Sequence, residues 1–140
     1  MTMGFLGPCG FNTPHTHPRA AELNLVIDGT VYTQMATENK ARVVTTKLEK
    51  YQMTVFPQGA MHAEFNPTCE NATFIASFGN SDPGTQQAAQ TLFGLSEDLV
   101  GATFGGAIDG AEIAKYYHVL PSPVAEGVQA CLAQCNIAMK

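Results

Sequence analysis

The chain has 140 residues, enough for one domain with a proper buried core. A formal charge of -5 and the lack of any basic run argue against nucleic acid as a partner, and no apolar stretch approaches the ~18 residues that span a bilayer. Hydrophobic residues make up 45% and charged residues only 14%, against about a quarter charged in ordinary domains, which implies that part of the surface is covered by another subunit or by glycan.

The first informative segment, 10–22, reads Gly-Phe-Asn-Thr-Pro-His-Thr-His-Pro-Arg-Ala-Ala-Glu. In an extended chain His15 and His17 face the same way. Glu22 lies an odd number of residues from His17, so a turn or bulge must bring it to that face, and Pro18 supplies a cause. Residues 22–27 read as a strand running into an Asp28-Gly29 turn, with 30–35 returning as the second arm of a hairpin. Segment 42–48 is rich in Val and Thr, as strands prefer, and 54–56 is a strand ending at Pro57. Segment 57–66, Pro-Gln-Gly-Ala-Met-His-Ala-Glu-Phe-Asn, carries His62, and 73–78 is a short apolar strand. Many short strands separated by turn signals predict a small barrel or jelly roll.

From Ser81 the character changes. Asp82-Pro83-Gly84 is a turn, and Ser81 or Asp82 can cap the segment after it. Residues 86–93, 96–103, 111–120 and 124–135 read as helices, with Pro121 and Pro123 separating the last two. Glu97 and Asp98 sit where acids favour a helix dipole. The fold class is therefore mainly β, with a C-terminal group of short helices. Leu92, Phe93, Leu95, Leu99, Val100 and Phe104 exceed what one barrel end needs, so this tail is expected to contact another subunit.

Only four histidines occur, and three fall in the two patches above. Three imidazoles and a carboxylate form a mixed nitrogen–oxygen set suited to Mn, Fe, Ni, Cu or Zn. Four protein ligands on an ion that accepts six leave two adjacent positions, and each imidazole should donate its other N–H to an acceptor that orients it. Phe11, Phe56, Met61 and Phe65 read as core, and His118 as surface or structural. Glu64, Tyr116 and Tyr117 receive no role. The even cysteine count predicts two disulfides, for which three pairings are possible. Cys9 with Cys69 is a candidate because both flank the metal motifs, or Cys131 and Cys135 are linked to these two instead. A site of four cysteines on zinc is disfavoured by the missing C-x2-C spacing. Asn71-Ala72-Thr73 is a glycosylation sequon.

The patterns H-x-H-x4-E-x6-G (His15, His17, Glu22, Gly29) and P-x-G-x2-H-x3-N (Pro57, Gly59, His62, Asn66) resemble those of the cupins. The words around them resemble the germin and spherulin branch, above all its fungal and slime-mould members, over roughly residues 4–105. The resemblance implies a jelly-roll barrel in which His15, His17, Glu22 and His62 bind one metal ion, typically manganese. It makes 1–80 the barrel core with the metal motifs, and 81–140 the barrel remainder and helices of the same domain. Two motif glycines are replaced here, by Cys9 and Tyr51, which bears on loop shape more than on the metal set.

Asn12 matches a substrate-contacting asparagine of oxalate-oxidising germins, and reads equally as a turn residue beside Pro14. A second asparagine of those enzymes has no counterpart; by spacing its place falls near Thr2. Segment 1–7 is too short for a signal peptide, where germin-like proteins carry one and several dozen residues before the first motif. The resemblance and the cysteines together imply a secreted protein of the extracellular space or cell wall, forming dimers or hexamers. The implied functions are a manganese-dependent oxidoreductase, of superoxide dismutase or small-carboxylic-acid (oxalate) oxidase type, or a non-catalytic metal- or ligand-binding protein of a wall or spore. Retention of all four ligands argues against a metal-independent sugar isomerase.

Overall fold

Buried and exposed side chains alternate along the strands, and the buried set of each strand determines which way its sheet faces. The structure is a computed structural model that describes residues 1–121 and 123–138. Its strands are β1 (Thr2–Leu6), β2 (Gly10–Thr16), β3 (Glu22–Asp28), β4 (Val31–Ala36), β5 (Val44–Leu48), β6 (Met53–Phe56), β7 (Met61–Phe65), β8 (Ala72–Phe78), β9 (Gln86–Gln87) and β10 (Val124–Glu126). The helices are α1 (Ala88–Phe93), α2 (Glu97–Thr103), α3 (Gly110–Val119) and α4 (Gln129–Gln134). Strand at 37% outweighs helix at 21%, as the mainly β reading requires.

Two antiparallel sheets, ordered β1-β8-β3-β6 and β10-β2-β7-β4-β5, face each other as a jelly roll, with β9 added beside β2. One end of the interior is apolar: Leu6, Val26, Val31, Leu48, Ala72, Phe74 and Ala76 pack together. Towards the other end the inward positions turn polar, through Asn24, Thr33 and Glu64 to Glu22, His15 and His62. This gradient places the candidate ligands at one mouth of a barrel closed by an oily plug at the other.

Several sequence expectations change. Residues 22–27 and 30–35 do not pair as a hairpin: β3 pairs with β6 and β8, whereas β4 pairs with β5 and β7. The turn crosses between sheets, and Val26 and Val31 on its two sides both join the apolar cluster of the core. Gly29 makes this possible, since its φ is +74° and an added Cβ would sit 2.6 Å from the Asn71 carbonyl oxygen. β1 carries no strong strand signal, yet it pairs along β8 from Thr2 to Leu6. Bare Gly4 lets the Phe74 ring lie where a Cβ would project.

In the tail, Gln86 and Gln87 extend the sheet opposite Thr16 and His15 before α1 begins. The expected helix 124–135 divides: Val124–Glu126 pairs with Gly10–Asn12 as an edge strand, and α4 follows only at Gln129. Gly127, with φ +134°, breaks the two apart. A reciprocal cap between Asp109 and Glu112 opens α3. Asp82 does not cap a helix; its carboxylate accepts from the Gly84 N–H and from Arg19, closing a loop. Val100 is fully buried within the helical group, while Leu95, Leu99 and Phe104 are exposed.

The cysteines form two disulfides, and the candidate pair Cys9–Cys69 is not one of them. Cys9 joins Cys131 and Cys69 joins Cys135, the linkage to the C-terminal pair. The reason is position: one helical turn carries Cys131 and Cys135 onto the barrel wall, where Cys9, Leu132 and Phe65 pack around them. Cys9 and Tyr51 both adopt positive φ, +61° and +69°, so the loops keep a left-handed backbone without glycine.

Candidate metal centre

β2 carries His15 on its inner face opposite His62 of β7. The register of β2 slips between Asn12 and His15, a bulge at Thr13-Pro14 that lets two oddly spaced residues face inward together. His17 lies just past β2, and the turn through Pro18 and Arg19 leads back to Glu22, the first residue of β3 in the other sheet. All four side chains are buried, and one ligand atom from each lies within 4.8 Å of every other.

The imidazoles are oriented alike. Nδ1 of His15 donates to the Thr13 carbonyl at 2.8 Å, that of His62 to Ala60 at 2.9 Å, and that of His17 to Gly84. Each ring thereby turns the lone pair of its Nε2 inward, as ligating histidines require. Two of these nitrogens meet Glu22 Oε2, at 2.9 Å from His17 and 3.3 Å from His62. These separations are close to the ~3 Å expected between neighbouring donors that share one ion at ~2.1 Å. Phe56 stacks on His62 at 4.1 Å and Phe78 meets His17 edge-on at 4.7 Å, so the rings have little room to rotate.

Electrostatics agree with a site built for positive charge. Burial, then repulsion from His62, pulls His15 down to about 4, so this ring is neutral at ordinary pH. Burial also opposes charge on His17, but hydrogen bonds to Glu22 and the Gly84 carbonyl outweigh it and raise its pKa. Burial alone would push Glu22 up; hydrogen bonds from His17, His62 and Asn24 prevail and hold the carboxyl at about 2. Three oriented imidazoles, one of them held neutral by burial, and a carboxylate suit a divalent first-row ion, so the donor set fits the metal that the sequence motifs imply.

Above His15, His17 and Glu22 opens a cavity of about 590 Å³. Thr2, Asn12, Thr85 and Gln87 supply its neutral polar groups, Phe74 and Phe78 its apolar wall, and among the described residues no Lys or Arg lines it. Thr2 thus lines the same cavity as Asn12. Of the four residues read as core, only Phe56 supports the site. Phe11 and Phe65 line an outer groove instead, and Met61 is 44% exposed. His118 lies in α3, outside the cluster. Asn71 is exposed in the loop before β8.

Two further buried polar residues stand beside the four candidate ligands: Glu64, which the sequence leaves without a role, and Asn24, which it does not single out. Glu64, two residues after His62 on the same face, is fully buried, and burial followed by the Glu22 charge pushes its carboxyl up to about 8. Asn24, two residues after Glu22, is likewise fully buried. The available signal was a polar residue at an inward position of a period-two strand. Asn66, the last residue of the second motif, is structural. Its amide donates to the carbonyls of Leu6, Gly7 and Glu70, pinning the loop that carries Cys69.

The comparisons accord with this geometry. The family profile described as cupin matches residues 1–109. Spherulin-1A of Physarum polycephalum is 43% identical over 140 residues, covering 99% of this chain and 56% of the spherulin. Germin-like protein 12-2 of Oryza sativa subsp. japonica is 39% identical over 106 residues, covering 69% of this chain and 46% of that protein. The chain therefore spans about half the length of the curated relatives it matches. Among solved structures, an oxalate oxidase aligns with a TM-score of 0.75 over 83% of this chain and 60% of its own, at 23% identity. Bacillus subtilis oxalate decarboxylase aligns with a TM-score of 0.77 over 89% and 32%, at 19% identity, and at such identities the likeness is one of fold. Matched along most of its length and folded as a jelly roll with both His motifs at one mouth, the chain belongs to the cupin family.

Proposed function

We propose that this cupin binds one metal ion per chain through His15, His17, Glu22 and His62, and acts on a small molecule in the cavity above them. The observation that carries the reading is the common orientation of the three imidazoles, each with Nδ1 held by a backbone carbonyl, with the Nε2 atoms of His17 and His62 against the Glu22 carboxylate and a ligand atom of His15 within 4.8 Å of theirs. Manganese is the ion that the germin resemblance favours; bound there, it would supply an electrophile and a redox couple. Fe, Ni, Cu and Zn suit the same donors. The residues around it orient and exclude. Asn12 would hold a bound acid by hydrogen bonds, and Phe74 and Phe78 would keep bulk water from the reacting groups. The favoured reaction is oxidation of a small carboxylic acid, or superoxide dismutation.

A second reading, a metal- or ligand-binding protein of a wall or spore without turnover, has one observation in its favour. The spherulin likeness extends over 99% of the chain and the germin-like likeness over 69%. Turnover assays on manganese-loaded protein separate the two: peroxide formed from oxalate, or superoxide loss beyond that of free manganese, supports the enzyme. Neither activity in fully loaded protein supports the binding protein. Asn12→Ala should weaken acid oxidation alone, whereas His62→Ala should abolish either activity.

The two disulfides fit a secreted protein, and exposed Asn71 would accept a glycan there. The exposed Leu95, Leu99, Phe104 and Tyr116 on the helical tail fit a contact between copies in a dimer or hexamer.

A further inference from the structure

Glu22 has two carboxylate oxygens, and they face different partners. Oε2 meets the Nε2 atoms of His17 and His62. Oε1 accepts a hydrogen bond from Asn24 Nδ2 at 3.0 Å. The same amide nitrogen lies 3.3 Å from Glu64 Oε1, so its two N–H groups serve two carboxyl groups. Asn24 and Glu64 are both 0% exposed. An amide in a barrel interior is costly unless its hydrogen bonds are made, and an apolar residue here would simply extend the core.

The two partners come from opposite sheets. Asn24 projects from β3, whereas Glu64 is fixed in β7 between Asn12 of β2 and Thr33 of β4. Glu64 thus anchors the Asn24 amide from across the barrel, and the amide in turn fixes the rotation of the Glu22 carboxylate.

We propose that Asn24, held by Glu64, is a positioning residue that keeps Glu22 a one-oxygen ligand and so keeps coordination positions free for a substrate. This rests on the metal-binding reading above. With the amide gone, Oε1 is released to turn towards the ion, which would close a position that a bidentate acid needs.

The test uses the full chain loaded with Mn(II), once the wild-type protein has been shown to take up one equivalent. Asn24→Ala is expected to raise the Mn(II) dissociation constant roughly 10- to 100-fold, as loss of an orienting partner does elsewhere. It should also change the splitting of the bound Mn(II) electron paramagnetic resonance signal. A purely structural asparagine would lower the melting temperature and move neither readout in the folded fraction. An Asn24→Ala protein with wild-type affinity and spectrum overturns the proposal. Should that variant not fold, Glu64→Leu and Glu64→Gln take its place. Leu removes the acceptor for Asn24 and must shift both readouts, and Gln, which keeps an acceptor, must shift them less; equal effects overturn the proposal. A wild-type chain that takes up no metal ends the metal reading itself and this inference with it.

Discussion

His17 Nε2 stands 2.9 Å from Glu22 Oε2, and His62 Nε2 approaches the same oxygen to 3.3 Å. One carboxylate oxygen is therefore the meeting point of two imidazole nitrogens whose opposite ring atoms are already committed to backbone carbonyls. In the metal-free chain, a proton on His17 forms an ion pair with Glu22 in the place that the metal would take.

This sets a pH dependence for metal uptake. His17 has a raised pKa, so its proton competes with the metal below that value, whereas His15, at about 4, stays neutral far into acid. Mn(II) affinity should fall by roughly tenfold per pH unit once the pH drops below the His17 pKa, with one proton displaced per ion bound. Titrations from about pH 8 to about pH 5 would measure the slope. A flat profile over that range would remove His17 from the ligand set.

Glu64 makes a separate contribution to the metal-free protein. Its folded pKa of about 8 lies above the ordinary carboxyl value of 4.5. Between these values the folded chain holds a proton that the unfolded chain has released, so stability falls as pH rises. The loss is at most about 1.4 kcal/mol per unit. Glu22 adds nothing in this window, because its carboxyl at about 2 contributes stability that is lost only as pH falls below 4.5. His15 and His17 also titrate differently in the folded and unfolded chains, but alike in wild type and Glu64→Gln. The denaturant midpoint of the wild-type chain relative to that of Glu64→Gln should therefore fall as the pH rises from about 5 to about 8.

Tyr51 is 72% exposed and sits at φ +69°, a conformation that disfavours a side chain. Relieving this strain outweighs the extra freedom that glycine gives the unfolded chain, so Tyr51→Gly should stabilise the protein by up to about 1 kcal/mol. Its backbone bond to the Val26 carbonyl is kept. A lowered melting temperature would contradict this.

The disulfides should lower the intact mass by about 4 Da relative to the fully reduced chain, two hydrogens for each bridge. Peptide mapping should join Cys9 to Cys131 and Cys69 to Cys135. Replacing Cys9 and Cys131 together by Ser should cost about 2–5 kcal/mol, and chemical denaturation would measure the loss.

How much the sequence reveals depends on the range of the interactions. His15, His17, Glu22 and His62 could be picked out because short-range spacing and turn residues place each one, and the structure brings all four together. The jelly roll could be read from many short strands, and the α2 and α3 helices from local periodicity and acids in the first turn. Choices made across the chain were hidden. Nothing local shows that β3 and β4 belong to different sheets, because the turn between them suits a hairpin equally well. Val124–Glu126 is a strand only because the edge of β2 is free to pair with it. Asn24 and Glu64 gain their meaning from each other, 40 residues apart.

Metal analysis by inductively coupled plasma, on protein never exposed to a nickel column, tests the central claim most directly. After loading with Mn(II) and removal of excess, the wild-type chain should retain one metal ion, and His62→Ala should lose it while keeping its fold, because His62 contributes a buried donor and closes no part of the apolar plug. A wild-type chain that retains no metal, or a His62→Ala chain that retains a full equivalent, would contradict the assignment of His15, His17, Glu22 and His62 as its ligands.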